Sequence, residues 1–197
     1  MLKFKLDSRK AIEVVAILAG QSPDHKIGRK RLLALLYIAN RECLKKSGRP
    51  MLGGRLMAMK YGPIHGDVYD LIQNREGADG GPEWSKHFHA EGYNIVLDDD
   101  PGKNVLSRFE SRILTEVLKR YENDDDWDVA LQTHVFTEYK SVFAKGRART
   151  IPLEQIIHAV GLSPMATSIM RDLKEKEELD ELFASPKGQP AKYRKSR

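Results

Sequence analysis

A mainly helical α+β fold carrying one small antiparallel sheet of two or three strands is what this sequence predicts, on three observations. Long stretches place apolar residues three and four apart, as one face of a helix requires; the clearest are 29–47, 106–121 and 164–183. Extended candidates are few and short, at 55–60 and on either side of Glu91-Gly92. The composition, 41% hydrophobic and 31% charged over 197 residues, suits one globular domain with a real core. The expected organisation is a domain over 1–183 followed by a tail over 184–197.

The first helix covers 8–19, with Asp7 or Ser8 as N-cap and Gly20 beyond its end. It is apolar nearly all round, so other elements must cover it. The opening MLKFKLDSRKAIEVVAILAG imitates a signal peptide, yet Glu13 interrupts the apolar run and Leu18-Ala19-Gly20 makes a poor cleavage site. The second helix, 29–47, sets Leu32, Leu36, Ala39 and Cys43 on one stripe that Leu33, Leu35 and Leu44 widen. Gly48 is its C-cap, with Pro50 following. Residues 55–60 are extended, Gly62-Pro63 reads as a turn, and a helix of about 65–74 follows. After a glycine-rich loop at 77–82, WSKHFHAEGYNIVLDDD reads as a hairpin around Glu91-Gly92. Leu106, Phe109, Ile113, Val117 and Tyr121 then keep helical spacing, with Ser107 or Asn104 as N-cap. Beyond the acidic run ENDDDWD come helices at about 126–136, 152–159 and 164–183, the last with Met165, Ile169, Leu173 and Leu179 on its apolar side.

Charge and cysteine content narrow the setting. The pI is about 9.2, but the basicity is local. The last twelve residues, PKGQPAKYRKSR, take five from the 33 basic residues and none from the 28 acidic ones, so the remainder is formally neutral. Such a tail is expected to be disordered and to add at most weak affinity for nucleic acid. A single cysteine, Cys43, permits no internal disulfide and points to a reducing, cytoplasmic setting. No apolar run approaches the ~20 residues that span a bilayer, so no membrane partner is expected.

The stock catalytic signatures are missing: no Gly-rich phosphate loop, no H-E-x-x-H, no G-x-S-x-G, no C-x-x-C. His87 and His89 would share a strand face, but no third ligand stands near them in sequence. The acidic runs 98–100 and 124–126 lack calcium-loop spacing and read as solvated loop charge. Cys43 on a leucine-rich face reads as a small core residue. The expectation is a non-enzyme with no cofactor and no metal.

Binding candidates gather instead around MAMKYGPIHGDVYDLI, residues 57–72. Pro63 fixes its own φ and restrains Gly62, giving a stiff corner that a neighbouring element or a partner can approach closely. The helix behind His65-Gly66 offers backbone N–H groups near Ile64–Asp67, with Asp67 complementing the dipole. Met57, Met59 and Tyr61 read either as a packing face or, for Tyr61, as an exposed anchor. Trp84 and Tyr93 face the same choice, and aromatics dominate interface hot spots when exposed. His134 reads first as a helix-end cap and second as a contact residue. Tyr61, Gly62, Pro63, His65, Trp84, Tyr93 and His134 are therefore the candidate partner-binding residues.

Three stretches in order resemble the SocA-like, or Panacea, domain of bacterial toxin–antitoxin and phage-defence loci. KRLLALLYIANRECLKKSGRP resembles the family's leucine-rich helix and its Gly-x-Pro exit, and GGRLMAMKYGPIHGDVYDLI its Gly-Pro segment. LSRFESRILTEVLKRY followed by LQTH resembles its L-s-x-x-E helix and the later Thr-His pair. The resemblance covers about residues 8–140. Gly54 stands where the family often has aspartate, His65-Gly66 where it often has proline or a small hydroxyl residue, and Tyr139 where tryptophan is common. What the resemblance implies is an antitoxin that neutralises a cognate toxin, encoded nearby, by direct contact and without catalytic residues. The alternative is a nucleic-acid-binding regulator using the basic tail and the 26–49 region, although no helix-turn-helix with a basic recognition helix is evident. An enzyme with an unrecognised site is a third reading, for which the sequence supplies no convergent titratable set.

Overall fold

The leucine-rich second helix organises the molecule. A computed structural model describes residues 4–22, 24–144 and 147–184. In it α2 (Arg29–Ser47) is buried without a break from Leu32 to Asn40. A helical stretch buried on all sides has to be enclosed by other elements, and here α1 (Ser8–Gly20), α5 (Arg108–Arg120) and α6 (Asp126–Gln132) pack on α2. Leu35 and Leu36 are wholly enclosed, worth about 2–3 kcal/mol each by area. Gly48 ends α2 in the left-handed region at φ 71°, its N–H donating to the Leu44 carbonyl (2.8 Å).

Caps set the other long helices. The Asp7 carboxylate accepts from the Lys10 N–H (3.0 Å) at the start of α1. Ser107, not Asn104, caps α5, and with Glu110 it completes a capping box. Glu13 lies buried on α1 because its carboxylate accepts the backbone N–H groups of Asn104, Val105 and Leu106 at 2.7–3.1 Å. It fastens the chain entering α5 onto α1.

Two three-stranded antiparallel sheets appear among the described residues, where one sheet of two or three strands was expected. The first runs in the order β1 (Lys26–Gly28), β5 (Asn94–Leu97), β4 (Phe88–Glu91), with Ile27 and Ala90 both opposite Ile95. The second runs β3 (Gly62–His65), β2 (Leu56–Met59), β6 (Arg149–Thr150), with Ala58 between Pro63 and Arg149. β1 and β6, three and two residues long, are too short to show a period; their neighbours' ladders recruit them.

Two sequence readings are corrected. Gly62-Pro63 is not the turn: Lys60 and Tyr61 make it, and Gly62 and Pro63 are ladder residues of β3. Pro63 is tolerated because β3 is an edge strand. The first arm of the expected hairpin begins as a helix, α4 (Gly81–His87), and turns extended only at Phe88. Gly80 at φ 86° and Pro82 in the first turn start α4, and Trp84 packs into the core on Phe88 with ring centroids 4.4 Å apart.

The remaining elements are α3 (Gly66–Ile72), a 3₁₀ turn (Thr133–Val135), α7 (Thr137–Val142), α8 (Leu153–Ala159), a second 3₁₀ turn (Ser163–Met165) and α9 (Ala166–Ala184). The expected helix at 126–136 thus divides into α6 and the first 3₁₀ turn. A second apolar cluster joins Tyr37 and Leu44 of α2 to Leu56, Tyr139, Ile151, Ile156 and Ile169. Between the two clusters Glu138 is buried, accepting from the Tyr37 hydroxyl (3.1 Å) and from Arg41 Nε (2.7 Å). Burial, with the Glu138 carboxylate beside it, pushes the Tyr37 phenol well above its usual value. The basic segment 186–197 lies outside the described residues.

Candidate partner-binding surface

Tyr61 stands at the tip of the β2–β3 hairpin, 47% exposed, with its ring edge-on to Trp127 of α6 at 5.3 Å. Trp127 is 43% exposed, and Leu131, one turn along the same helix face, is 50% exposed. Val135 follows four residues later in the 3₁₀ turn and is exposed too. Lys30 Nζ lies 3.7 Å from the Trp127 ring centroid and 5.2 Å from that of Tyr61, with Lys60 Nζ 5.0 Å from Tyr61 on its own account. The result is an aromatic corner carrying two ammonium groups.

Gly62 makes that corner possible. Its φ of 117° lies in the region that L side chains avoid, and a Cβ there would sit 2.5 Å from Thr133 Oγ1 and 3.3 Å from the Ala130 carbonyl oxygen. The close approach anticipated at Gly62 is therefore made by a neighbouring element, the end of α6, and not left open for a partner. The Tyr139 hydroxyl donates to the Met59 carbonyl (2.9 Å) and holds β2 as well. On α6, the Asp125 carboxylate caps the N–H groups of Trp127 (2.7 Å) and Asp128 (2.8 Å). Both rings thus stand on braced backbone, so little ordering entropy is lost when they are covered.

The other candidates divide. Pro63 is buried, and His65 is wholly enclosed at the start of α3. His65 Nε2 lies 2.7 Å from the Gly53 carbonyl and Nδ1 accepts the Val68 N–H (3.4 Å), while the Gly66 N–H donates to the Arg55 carbonyl (2.7 Å). Of the helix N–H groups expected to be free there, that of Gly66 is consumed inside the molecule, as is that of Val68 just beyond. Trp84 is 6% exposed and belongs to the core. Tyr93 is 84% exposed at the β4–β5 turn of the fold's other sheet, its carbonyl accepting the N–H of Arg29 (2.9 Å) next to Lys30. His134 caps nothing: its ring tilts against Tyr139 with centroids 5.0 Å apart, and Nε2 is buried without a hydrogen-bond partner among the described residues. Trp127 was not among the sequence candidates; its signal was an Asp125 cap followed by Trp127 and Leu131 four residues apart.

The buried His65 has a measurable consequence. Burial pushes its pKa below the ordinary histidine value, against the opposing pull of the Gly53 carbonyl and the Asp67 charge. The unfolded chain takes up a proton near pH 6.5 that the native imidazole refuses. The His65 contribution is therefore fully present above that pH and falls away below it, by at most about 1.4 kcal/mol per pH unit for one group. Melting temperatures recorded from pH 7.5 down to 5.5 are expected to drop, and His65→Gln is expected to flatten this slope while lowering stability at neutral pH.

The basic face of α2 is largely committed. Arg31 donates to the carbonyls of Tyr121 (2.6 Å) and Asp124, Arg29 to that of Gly92 (3.0 Å), Arg41 to Glu138, and Lys46 to Glu116 (2.5 Å). A groove of about 630 Å³ beside α3 is lined by Arg55, Asp67, Asp70, Arg75 and Asp79. Its charges largely pair with one another, Arg55 with Asp67 (2.7 Å), Arg75 with Asp70 (2.9 Å) and Lys5 with Asp79 (3.3 Å), which leaves Glu76 as the charged lining residue outside these pairs among the described residues. Among the described residues no group of His, Cys, Asp and Glu side chains could hold a metal ion, and no helix is long and apolar enough to cross a membrane.

Against known proteins, the family model described as "Antitoxin SocA-like, Panacea domain" matches residues 32–139. That span runs from the first turn of α2 to Tyr139 in α7 and contains the β2–β3 hairpin and the whole of α6. No curated protein and no solved structure matches the chain.

Proposed function

The chain belongs to the SocA-like, Panacea-domain antitoxin family, and from that premise we propose that it binds a cognate toxin and neutralises it by direct contact, without catalysis. The observation that carries the reading is the exposed Tyr61–Trp127 corner, which lies inside the matched span and stands on rigid backbone. Exposed tyrosine and tryptophan on a pre-ordered support are the residue types that supply most of the energy at protein interfaces. Two mechanisms fit direct contact: occlusion of the toxin's working surface, and delivery of the toxin to a protease.

A growth assay tests the reading. The product of the adjacent open reading frame is induced alone and then together with this chain. Arrest by the product alone, relieved on co-expression, is the expected outcome. A harmless product, or arrest that persists, contradicts it. The nucleic-acid alternative draws on the basic 186–197 segment; it predicts that deleting this segment removes DNA affinity with a steep salt dependence.

A further inference from the structure

Resting on the reading of direct contact with a toxin, we infer that the partner docks on the Lys30–Lys60–Tyr61–Trp127 corner and is a folded protein whose apolar anchor is flanked by carboxylates. Tyr61, Trp127 and Leu131 form the apolar floor. Lys30 lies over the Trp127 face and Lys60 over that of Tyr61, which turns two positive charges toward whatever covers the rings. Among the described residues no carboxylate comes within salt-bridge distance of either ammonium. An incoming carboxylate therefore meets cations that are already positioned and not already paired, the arrangement that speeds association and rejects the wrong partner.

The acidic residues of the α6 region do not cancel this field by pairing with the lysines. Asp125 is spent on its N-cap, the Asp124 carboxylate accepts from Gln132 (3.1 Å), and Asp126 is packed so closely on Gly28 that a Cβ there would lie 1.6 Å from it. With the exposed Asp128 beside Trp127 they leave two cations at the rings, too few to hold a polyphosphate backbone but enough for one or two carboxylates beside an apolar anchor, which favours a protein over a nucleic acid as the occupant. A second copy of this chain would bring Lys30 and Lys60 against their own kind, and so is disfavoured by like charge.

Full-length chain and the purified toxin from the adjacent reading frame give the test, with Trp127→Ala, the exposed-surface pair Lys30→Glu/Lys60→Glu, and Phe183→Ala, an exposed residue of α9, as control. Trp127→Ala is expected to weaken affinity about 30-fold or more, measured by calorimetry. The double charge reversal is expected to slow association roughly tenfold at low salt, with a smaller difference at high salt. Phe183→Ala is expected to bind and rescue growth as the unaltered chain does. The charge reversal touches only exposed side chains, so it remains informative should Trp127→Ala lower stability. Unaltered chain that neutralises, with both corner variants folded and neutralising equally well, overturns this inference alone. Unaltered chain that neither binds nor neutralises overturns the functional reading and this inference with it. Charge reversal that abolishes oligonucleotide binding and leaves toxin binding intact, or a dimer seen by light scattering that Trp127→Ala dissolves, also overturns it.

Discussion

Glu13→Ala is expected to destabilise the fold by about 3–5 kcal/mol, because three backbone N–H groups lose a charged acceptor at once. The carboxylate reaches Asn104, Val105 and Leu106, more than ninety residues away in sequence, and among the described residues no other group takes those donors. A change of that size shifts the melting temperature of a chain this long by roughly 10 °C or more. Glu13→Gln keeps one acceptor oxygen and the side-chain volume, so it is expected to recover part of the loss. Thermal denaturation of the two variants side by side checks this. Equal stability of Glu13→Ala and the unaltered chain would mean that the 104–106 segment is held by something other than α1.

Gly62→Ala is the second large effect, about 2–4 kcal/mol, since strain at a positive φ adds to overlap with a packed neighbour. The methyl group would meet Thr133 Oγ1 at 2.5 Å, and the hairpin can relieve this only by lifting away from α6. Tyr61 then separates from Trp127, so loss of stability and loss of partner binding are expected together. Tryptophan fluorescence reports the ring environment directly: the spectrum should change in Gly62→Ala, whereas Phe183→Ala should leave it unaltered. A folded Gly62→Ala protein with native fluorescence and native neutralisation would contradict the role given to this glycine.

What was legible in the sequence is what periodicity and caps encode. α1, α2 and α5 were readable because their apolar stripes run over three or more turns and end in specific signals, Asp7, Gly48 and the Ser107–Glu110 box. β1, β6 and α7 were not, because two to six residues carry no period and their ladders or packing are supplied from far along the chain. The segment starting at Trp84 alternates like a strand, yet Gly80 and Pro82 start a helix there and the indole finds the core. At the surface, Tyr61 was readable as a turn aromatic beside Gly62. Its partner Trp127 was hidden in an acidic run, and only the folded approach of α6 to the hairpin brings the two rings together. His65 looked like a polar recognition residue, but its polarity serves a buried hydrogen-bond pair.

The central claim is neutralisation through direct contact, and the most direct measurement is reconstitution from purified components. The chain and its candidate toxin are mixed, separated by size-exclusion chromatography with light scattering, and the toxin is assayed across the peak. The account predicts a complex of fixed stoichiometry; toxin that is inactive within it and active on dissociation identifies occlusion, and toxin that stays active within it identifies delivery to a protease. No complex at micromolar concentrations would contradict it.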